Sequence, residues 1–366
     1  VLSPSGGWVS AYQAITTVVG KTYTIGVNVD PTTGGSLNGA DVLVQTSATL
    51  GVGSLILVGP VTHGTSATIL SGTFTASTTT TYIHLRAKAY ASNEYTLFDD
   101  VSVRLAEKDR SFRDQGLQVF GTVNKTAVAT GADLVGYSNF SASNYLRQPY
   151  NTYLNFGTGD FTYHGWIKWN NGTGYLFDRA DSAGNGRVAI YINSGAGLIT
   201  WYTENGNISS NGGAFGSGSS SQDHAVKDKW MHLAIVRRNG KIYGYKNGHV
   251  VGSFSDTGSK SNAGSTLTIG ARYNLQNPLS GGSVALIRAS ADAATPAQLQ
   301  KIYHEEKELF LPNSKATLYD SDDCEAVAYD RGTGLVHVGT SDGRHAFKGC
   351  RRVSYTSGTI GHKLSA

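Results

Sequence analysis

The residues of this chain that could do chemistry are its carboxylates, its aromatic rings and its planar amides. Glycoside hydrolysis needs two carboxylates flanking the scissile bond. Between residues 107 and 300 the only glutamates are Glu107 and Glu204, far apart in the chain, and the pattern Glu-x-Asp-x-x-Glu does not occur. Neither His-Glu-x-x-His nor a P-loop is present, and the ten histidines are scattered without metal-ligand spacing. The chain is therefore expected not to be an enzyme.

Sugar binding asks for less: a flat ring to cover the apolar face of a pyranose, and planar amide, carboxylate or guanidinium groups to pair with hydroxyls. GLITWYTENGNISSNGGAFGSGSSSQDH places Trp201, Tyr202, Glu204 and Asn205 at a strand end, ahead of a Gly/Ser-rich loop longer than a hairpin requires. We take these four as the first glycan-binding candidates; the plainer reading makes one ring core and the other rim. A second set comes from TYIHLRAKAY, where Tyr82, His84, Arg86, Lys88 and Tyr90 alternate onto one face. Their basic heads suit an acidic polysaccharide, although an ordinary solvated strand face has the same pattern. Asp178, Asp181 and Asn185 read as a turn-stabilising acidic loop.

The elements that must position these residues are β-strands. Gly 46 and Tyr 20 beside 15% charged residues describe a turn-rich, short-stranded chain. Asn239-Gly240 and Asn247-Gly248 predict two tight type I′ hairpins in succession. KTYTIGVNVD alternates with Tyr23, Ile25, Val27 and Val29 on one face, and Ile83, Leu85 and Ala87 point inward opposite the second candidate set. TPAQLQKIYHEEKELF predicts the one helix, with Thr295 as cap, Pro296 in the first turn and Gln298 completing a capping box. Leu299, Ile302, Tyr303, Leu309 and Phe310 line its apolar stripe. CEAVAYDRGTGLVHVGTSDGRHAFKG reads as hairpins turning near residues 331–334 and 341–343.

Three segments emerge, and each resembles a known family. Residues 1–106, through YQAITTVVGKTYTIGVNVD and YTLFDDVSVRL, resemble a carbohydrate-binding-module jelly roll, without the opening strand such modules usually have. Residues 107–312, through LNFGTGDFTYHGWIKW, DKWMHLAIVRRNGKIYGYKNG and STLTIGARYN, resemble laminin-G-like, concanavalin A-like sandwiches. That family uses Trp166 and Trp230 for packing and sets its terminal helix on the sandwich edge. Residues 313–366 resemble one blade of a β-propeller. The expected fold is thus all-β: a jelly-roll sandwich, a concanavalin A-like sandwich with one short helix, then a small β segment. Related jelly rolls place a carboxylate on structural calcium where Asp99 and Asp100 stand, and hard oxygen ligands suit that ion; capping a loop is the competing role. No cofactor is otherwise required.

The combination of GLQVFGTV, GADLVGYSNFSASNYL and AVAYDRGTGLVHVGTSDG resembles tail-fibre or receptor-binding proteins of bacteriophages. That resemblance implies a non-enzymatic virion protein attaching to host polysaccharide or lipopolysaccharide, as a homotrimer joined to other tail proteins through a preceding N-terminal part. Val1 in place of Met, with Met231 the only methionine, fits a fragment. A secreted or surface lectin-like adhesin, or a depolymerising tailspike with an inter-subunit site, are the alternatives. A formal charge of +4 and no long Lys/Arg run argue against nucleic acid, and no apolar run is long enough to insert into a membrane. Cys324 and Cys350 are too few for a disulfide framework, and their pairing stays open.

Overall fold

A computed structural model describes residues 8–30, 40–52, 55–61, 68–88, 96–107, 116–193, 197–209, 224–262, 264–315, 324–349 and 351–358. The first strands are β1 (Trp8–Thr16), β2 (Thr22–Asp30), β3 (Ala40–Gln45), β4 (Leu55–Val61), β5 (Thr68–Thr75), β6 (Thr80–Lys88) and β7 (Leu97–Glu107). They form two layers, β1-β6-β3-β4 and β7-β2-β5. Ile25, Val27, Val29, Val42, Val44, Leu70, Phe74 and Ile83 fill the space between, with Leu85 and Tyr23 packed against them. The inward alternation expected of KTYTIGVNVD and TYIHLRAKAY is what builds this core. β1, which the sequence reading did not count, runs antiparallel along the whole of β6.

The second unit comprises β8 (Leu117–Phe120), β9 (Asn124–Ala127), β10 (Val135–Ser138), β11 (Tyr145–Gln148), β12 (Phe161–Lys168), β13 (Gly174–Ala180) and β14 (Val188–Ile192). It continues with β15 (Ile199–Thr203), β16 (Gly206–Ser209), β17 (Trp230–Arg238), β18 (Lys241–Lys246), β19 (His249–Ser255), β20 (Thr266–Ile269) and β21 (Ser283–Ser290). One layer has the order β19-β18-β17-β12-β21-β10-β9. The other, β16-β15-β14-β13-β20-β11-β8, does not stop at the sandwich: β8 pairs with β7 through Ala106↔Gln118 and Glu107↔Leu117, so the sheet runs on through β7, β2 and β5. Its ten strands span both sandwiches. Asn239 (φ 50) with Gly240 (φ 70), and Asn247 (φ 52) with Gly248 (φ 82), adopt the left-handed backbone that the two hairpins require.

Helix α1 (Pro296–Glu306) carries the full capping box: Gln298 N–H donates to Thr295 Oγ1 and Thr295 N–H to Gln298 Oε1. It lies on the outer face of the seven-stranded layer, not on its edge. Leu299 buries itself against Ala234, Val236 and Tyr245. Trp166 stacks on Tyr303 at 5.8 Å and Phe310 at 4.3 Å and donates its indole N–H to Glu306 at 2.7 Å. Trp166 and Trp230 are thus packing residues, as expected. The last strands, β22 (Cys324–Asp330), β23 (Leu335–Thr340), β24 (Gly343–Lys348) and β25 (Arg351–Ser357), form a four-stranded meander. A bridge between Lys315 and Arg352 and an Arg351–Glu308 ion pair at 3.6 Å join it to the sandwich. Cys324 is exposed, and Cys350 lies outside the described residues. No helix is long and apolar enough to cross a membrane among the described residues.

Candidate functional site

Trp201 is the first correction. It is 0% exposed, buried between the two layers with Ile208, Phe254 and Ile235. Consecutive strand residues point to opposite faces. Ile199, Trp201 and Thr203 therefore face the core and Tyr202 faces out. The indole is fitted closely enough that a Cβ on Gly244 would stand 2.9 Å from it. A sugar has no access to this ring. The two residues after β15 also serve the fold: Glu204 accepts from Arg187 N–H at 3.1 Å and from Lys260 Nζ at 2.9 Å, and Asn205 donates to Asp256 at 2.7 Å.

Lys260 is wholly buried and also meets Asp256 at 3.1 Å. Burial works against the Asp256 charge, yet bonds from Thr203, Asn205 and Lys260 hold its pKa below the usual carboxylate value. Its side chain is sealed from solvent, so Glu204 and Asp256, though they share one ammonium, do not form an open acid pair. The stretch Gly339-Thr340-Ser341-Asp342-Gly343 matches Gly-x-Ser-x-Gly. Ser341 stands in the tight turn between β23 and β24, not on the strand-to-helix turn of a nucleophile elbow.

Tyr202 itself stands over Arg187, whose guanidinium lies 4.6 Å from the ring centroid, with Tyr273 at 5.3 Å and Tyr175 at 5.8 Å. Arg187 binds the buried Asp178 at two points, 3.0 and 2.8 Å. Burial opposes both charges: it pushes the Asp178 carboxyl up, while the double bond pair outweighs burial at Arg187 and raises its pKa. Asp181 accepts from Ala183, Asn185 and Asn262, the turn-stabilising role expected of this loop, whereas Asp178, expected to share it, is a buried residue of β13 paired with Arg187.

The second candidate set is brought together. Register places Tyr82, His84 and Arg86 on the outer face of β6, with Ala14, Tyr12 and Ser10 opposite on β1 and Gln45, Leu43 and Asp41 opposite on β3. Tyr90 and the Lys88 side chain lie outside the described residues. His84 is buried and so touches no ligand; Tyr12 stacks over it at 5.1 Å and 27°, and meets Tyr82 edge-on at 6.0 Å. Gln45 Nε2 lies 2.9 Å from His84 Nε2 and donates to the carbonyls of Ser47 and Thr49, pinning the adjoining loop. Arg86 is held by Asp41 at 2.6 and 2.5 Å and lies 4.4 Å from the Trp8 ring.

Trp8 and Tyr12 complete a surface that the sequence reading missed. They are 36% and 55% exposed, four residues apart on one face of a strand, hence about 13 Å apart. The signal was available in WVSAYQAIT, where Trp8, Ser10, Tyr12 and Ala14 alternate. Asp99 and Asp100 are exposed, and Asp100 N–H donates to Asp99 Oδ1 at 2.8 Å. No group of three His, Cys, Asp or Glu side chains able to hold a metal occurs among the described residues.

The family model Laminin_G_3, concanavalin A-like lectin/glucanases superfamily, matches residues 140–300. No curated protein matches the chain. Among solved structures, the binding domain of Paraclostridial Mosquitocidal Protein 1 is similar at 15% identity and TM-score 0.41, covering 70% of this chain and 66% of that one. Domain 4 of AbnA, a GH43 extracellular arabinanase from Geobacillus stearothermophilus in complex with arabinotriose, is similar at 15% and 0.38, covering 51% and 88%. The receptor binding domain of botulinum neurotoxin C/D mosaic serotype is similar at 12% and 0.43, covering 64% and 59%. The overlaps are too loose to assign a ligand to this chain. Layers, register and the family match together define an all-β chain with a concanavalin A-like sandwich.

Proposed function

We propose that this chain is a non-enzymatic glycan-binding attachment protein, and that its binding platform is the outer face of β1, β6 and β3. The observation that carries the reading is the pair of open rings, Trp8 and Tyr12, standing over side chains whose hydrogen bonds are already set. Rings of this kind cover the apolar faces of pyranoses, and about 13 Å between them accommodates more than one sugar unit. Asp41 neutralises Arg86, so the platform suits uncharged sugars. Preorganisation lowers the ordering cost of a shallow site.

In its finer form the reading is a bacteriophage tail fibre, part of the virion, that meets host polysaccharide or lipopolysaccharide as a homotrimer. Its support is the resemblance of GLQVFGTV and AVAYDRGTGLVHVGTSDG to such fibres, together with the advantage that several copies give to weak sites. Glycan-array binding of wild type and Tyr12→Ala tests the platform: wild type is expected to bind and the variant to lose most of the signal. Capsid and tail genes beside the coding sequence are expected; a bacterial surface-protein neighbourhood would transfer the same chemistry to a lectin-like adhesin. Release of oligosaccharide from capsule or lipopolysaccharide would overturn the non-enzymatic part.

A further inference from the structure

The outer face of the ten-stranded sheet carries a second feature, unrelated to the platform. Arg104 of β7 lies 4.1 Å from the ring centroid of Phe120 on β8. Phe120 stacks at 4.4 Å and 12° on Tyr145 of β11, and Arg147 of the same strand lies 4.9 Å from Tyr145. Arg147 continues the line, donating to Thr268 Oγ1 at 3.2 Å and to the Tyr273 carbonyl at 3.1 Å. Arg272 lies 5.2 Å from the Tyr273 ring, whose other neighbour is Arg187, and Tyr202 ends the row on β15. Four guanidinium groups are thus interspersed with aromatic rings from the jelly roll to the far strands of the sandwich.

The charge on this line is uneven. Asp178 pairs with Arg187, while Arg104, Arg147 and Arg272 have no carboxylate within ion-pair distance among the described residues. Glu204, at the Tyr202 end, is taken by Lys260. The rings between the arginines are not free stacking surfaces: Phe120 lies between Arg104 and Tyr145, and Tyr273 has both Arg272 and Arg187 against it, whereas Tyr202 at the end of the row has Arg187 alone. At Arg104 and Arg272 a ring holds the guanidinium by cation–π attraction while N–H groups remain for a ligand, although Arg272 gives one to Gln276; Arg147 and Arg187 spend theirs on Thr268, the Tyr273 carbonyl and Asp178. Carboxylates match a guanidinium's N–H groups in fork geometry.

We propose that this arginine-aromatic row is a second binding surface, for an extended carboxylate-bearing polysaccharide laid across both sandwiches. It rests on the glycan-binding reading but not on the Trp8–Tyr12 platform. A nucleic acid would need several open rings for its bases, and Phe120, Tyr145 and Tyr273 are covered by their neighbours.

The test is titration calorimetry of the full chain with polygalacturonate, neutral dextran and oligodeoxythymidylate, for wild type and Arg104→Gln/Arg272→Gln. Both arginines are at least partly exposed and without ion pairs, so the thermal midpoint is expected to stay unchanged. Wild type should bind polygalacturonate and not dextran at this surface, weakening between about 0.05 M and about 0.5 M salt. The double variant should lose at least about tenfold in affinity for polygalacturonate and part of that salt dependence. No polygalacturonate binding, equal binding by the variant, or oligodeoxythymidylate binding at least as tight would each overturn the proposal. If array glycans still depend on Tyr12 in that event, only this proposal falls and the platform reading stands.

Discussion

The ring of Tyr12 lies 5.1 Å from the imidazole of His84, an open ring on a buried one. His84 meets no solvent, yet it fixes the height and tilt of the surface a sugar would touch. His84→Ala is expected to weaken glycan binding about tenfold by freeing Tyr12 to move, whereas His84→Phe, which keeps a ring in place, should retain most of the affinity. Titration of both variants with a glycan bound by wild type checks this. Equal losses in the two would show that hydrogen bonding by His84, not stacking, supports the platform.

Trp201 makes the opposite prediction. Removing an indole from the centre of the sandwich should cost about 3 to 5 kcal/mol of stability, with no change in glycan affinity in the folded fraction. Denaturant unfolding beside binding measurements separates the two effects. A stable Trp201→Ala protein that no longer binds glycan would contradict the burial described here.

The contrast between these rings shows what could be read from the sequence. Alternation identified the inward faces of β2 and β6, Asn-Gly pairs located two hairpins, and Thr295 with Gln298 marked the helix start, because each is a local rule with a short physical range. The same rule, applied one residue further, separates Trp201 from Tyr202, since neighbours on a strand share no face. Trp8 and Tyr12 were harder. Their meaning depends on pairing with β6, some 70 residues away, and on Asp41 and Gln45 arriving from β3. The continuity of the ten-stranded sheet through β7 and β8 is likewise a non-local pairing that no periodicity announces.

Beneath helix α1, His164 Nδ1 lies 3.0 Å from His232 Nε2. Burial, then His232 and Arg288, pushes the pKa of His164 down to about 3; burial and Arg288 push His232 down to about 4. Both are neutral in the fold and bind protons when unfolded below about 6.5. The unfolded chain therefore gains protons first, and stability should fall as pH drops from about 6.5 toward 4. His164→Gln/His232→Gln should flatten that slope, as read from thermal midpoints across the range.

Asp178 and Arg187 are both buried and bonded at two points. Asp178→Ala leaves a guanidinium without its counter-charge and is expected to cost about 3 to 5 kcal/mol. Urea unfolding reads this directly, and a loss below about 1 kcal/mol would place the pair among weak surface contacts.

The central claim is that the open rings of β1 hold sugar without breaking a bond. Its most direct measurement is the affinity of wild type and of Trp8→Ala/Tyr12→Ala for one array-identified glycan, with the glycan recovered and sized afterwards. We expect the double variant to lose at least about a hundredfold in affinity at an unchanged thermal midpoint, and the glycan to return intact. Unchanged affinity, or a shortened glycan, would contradict the account.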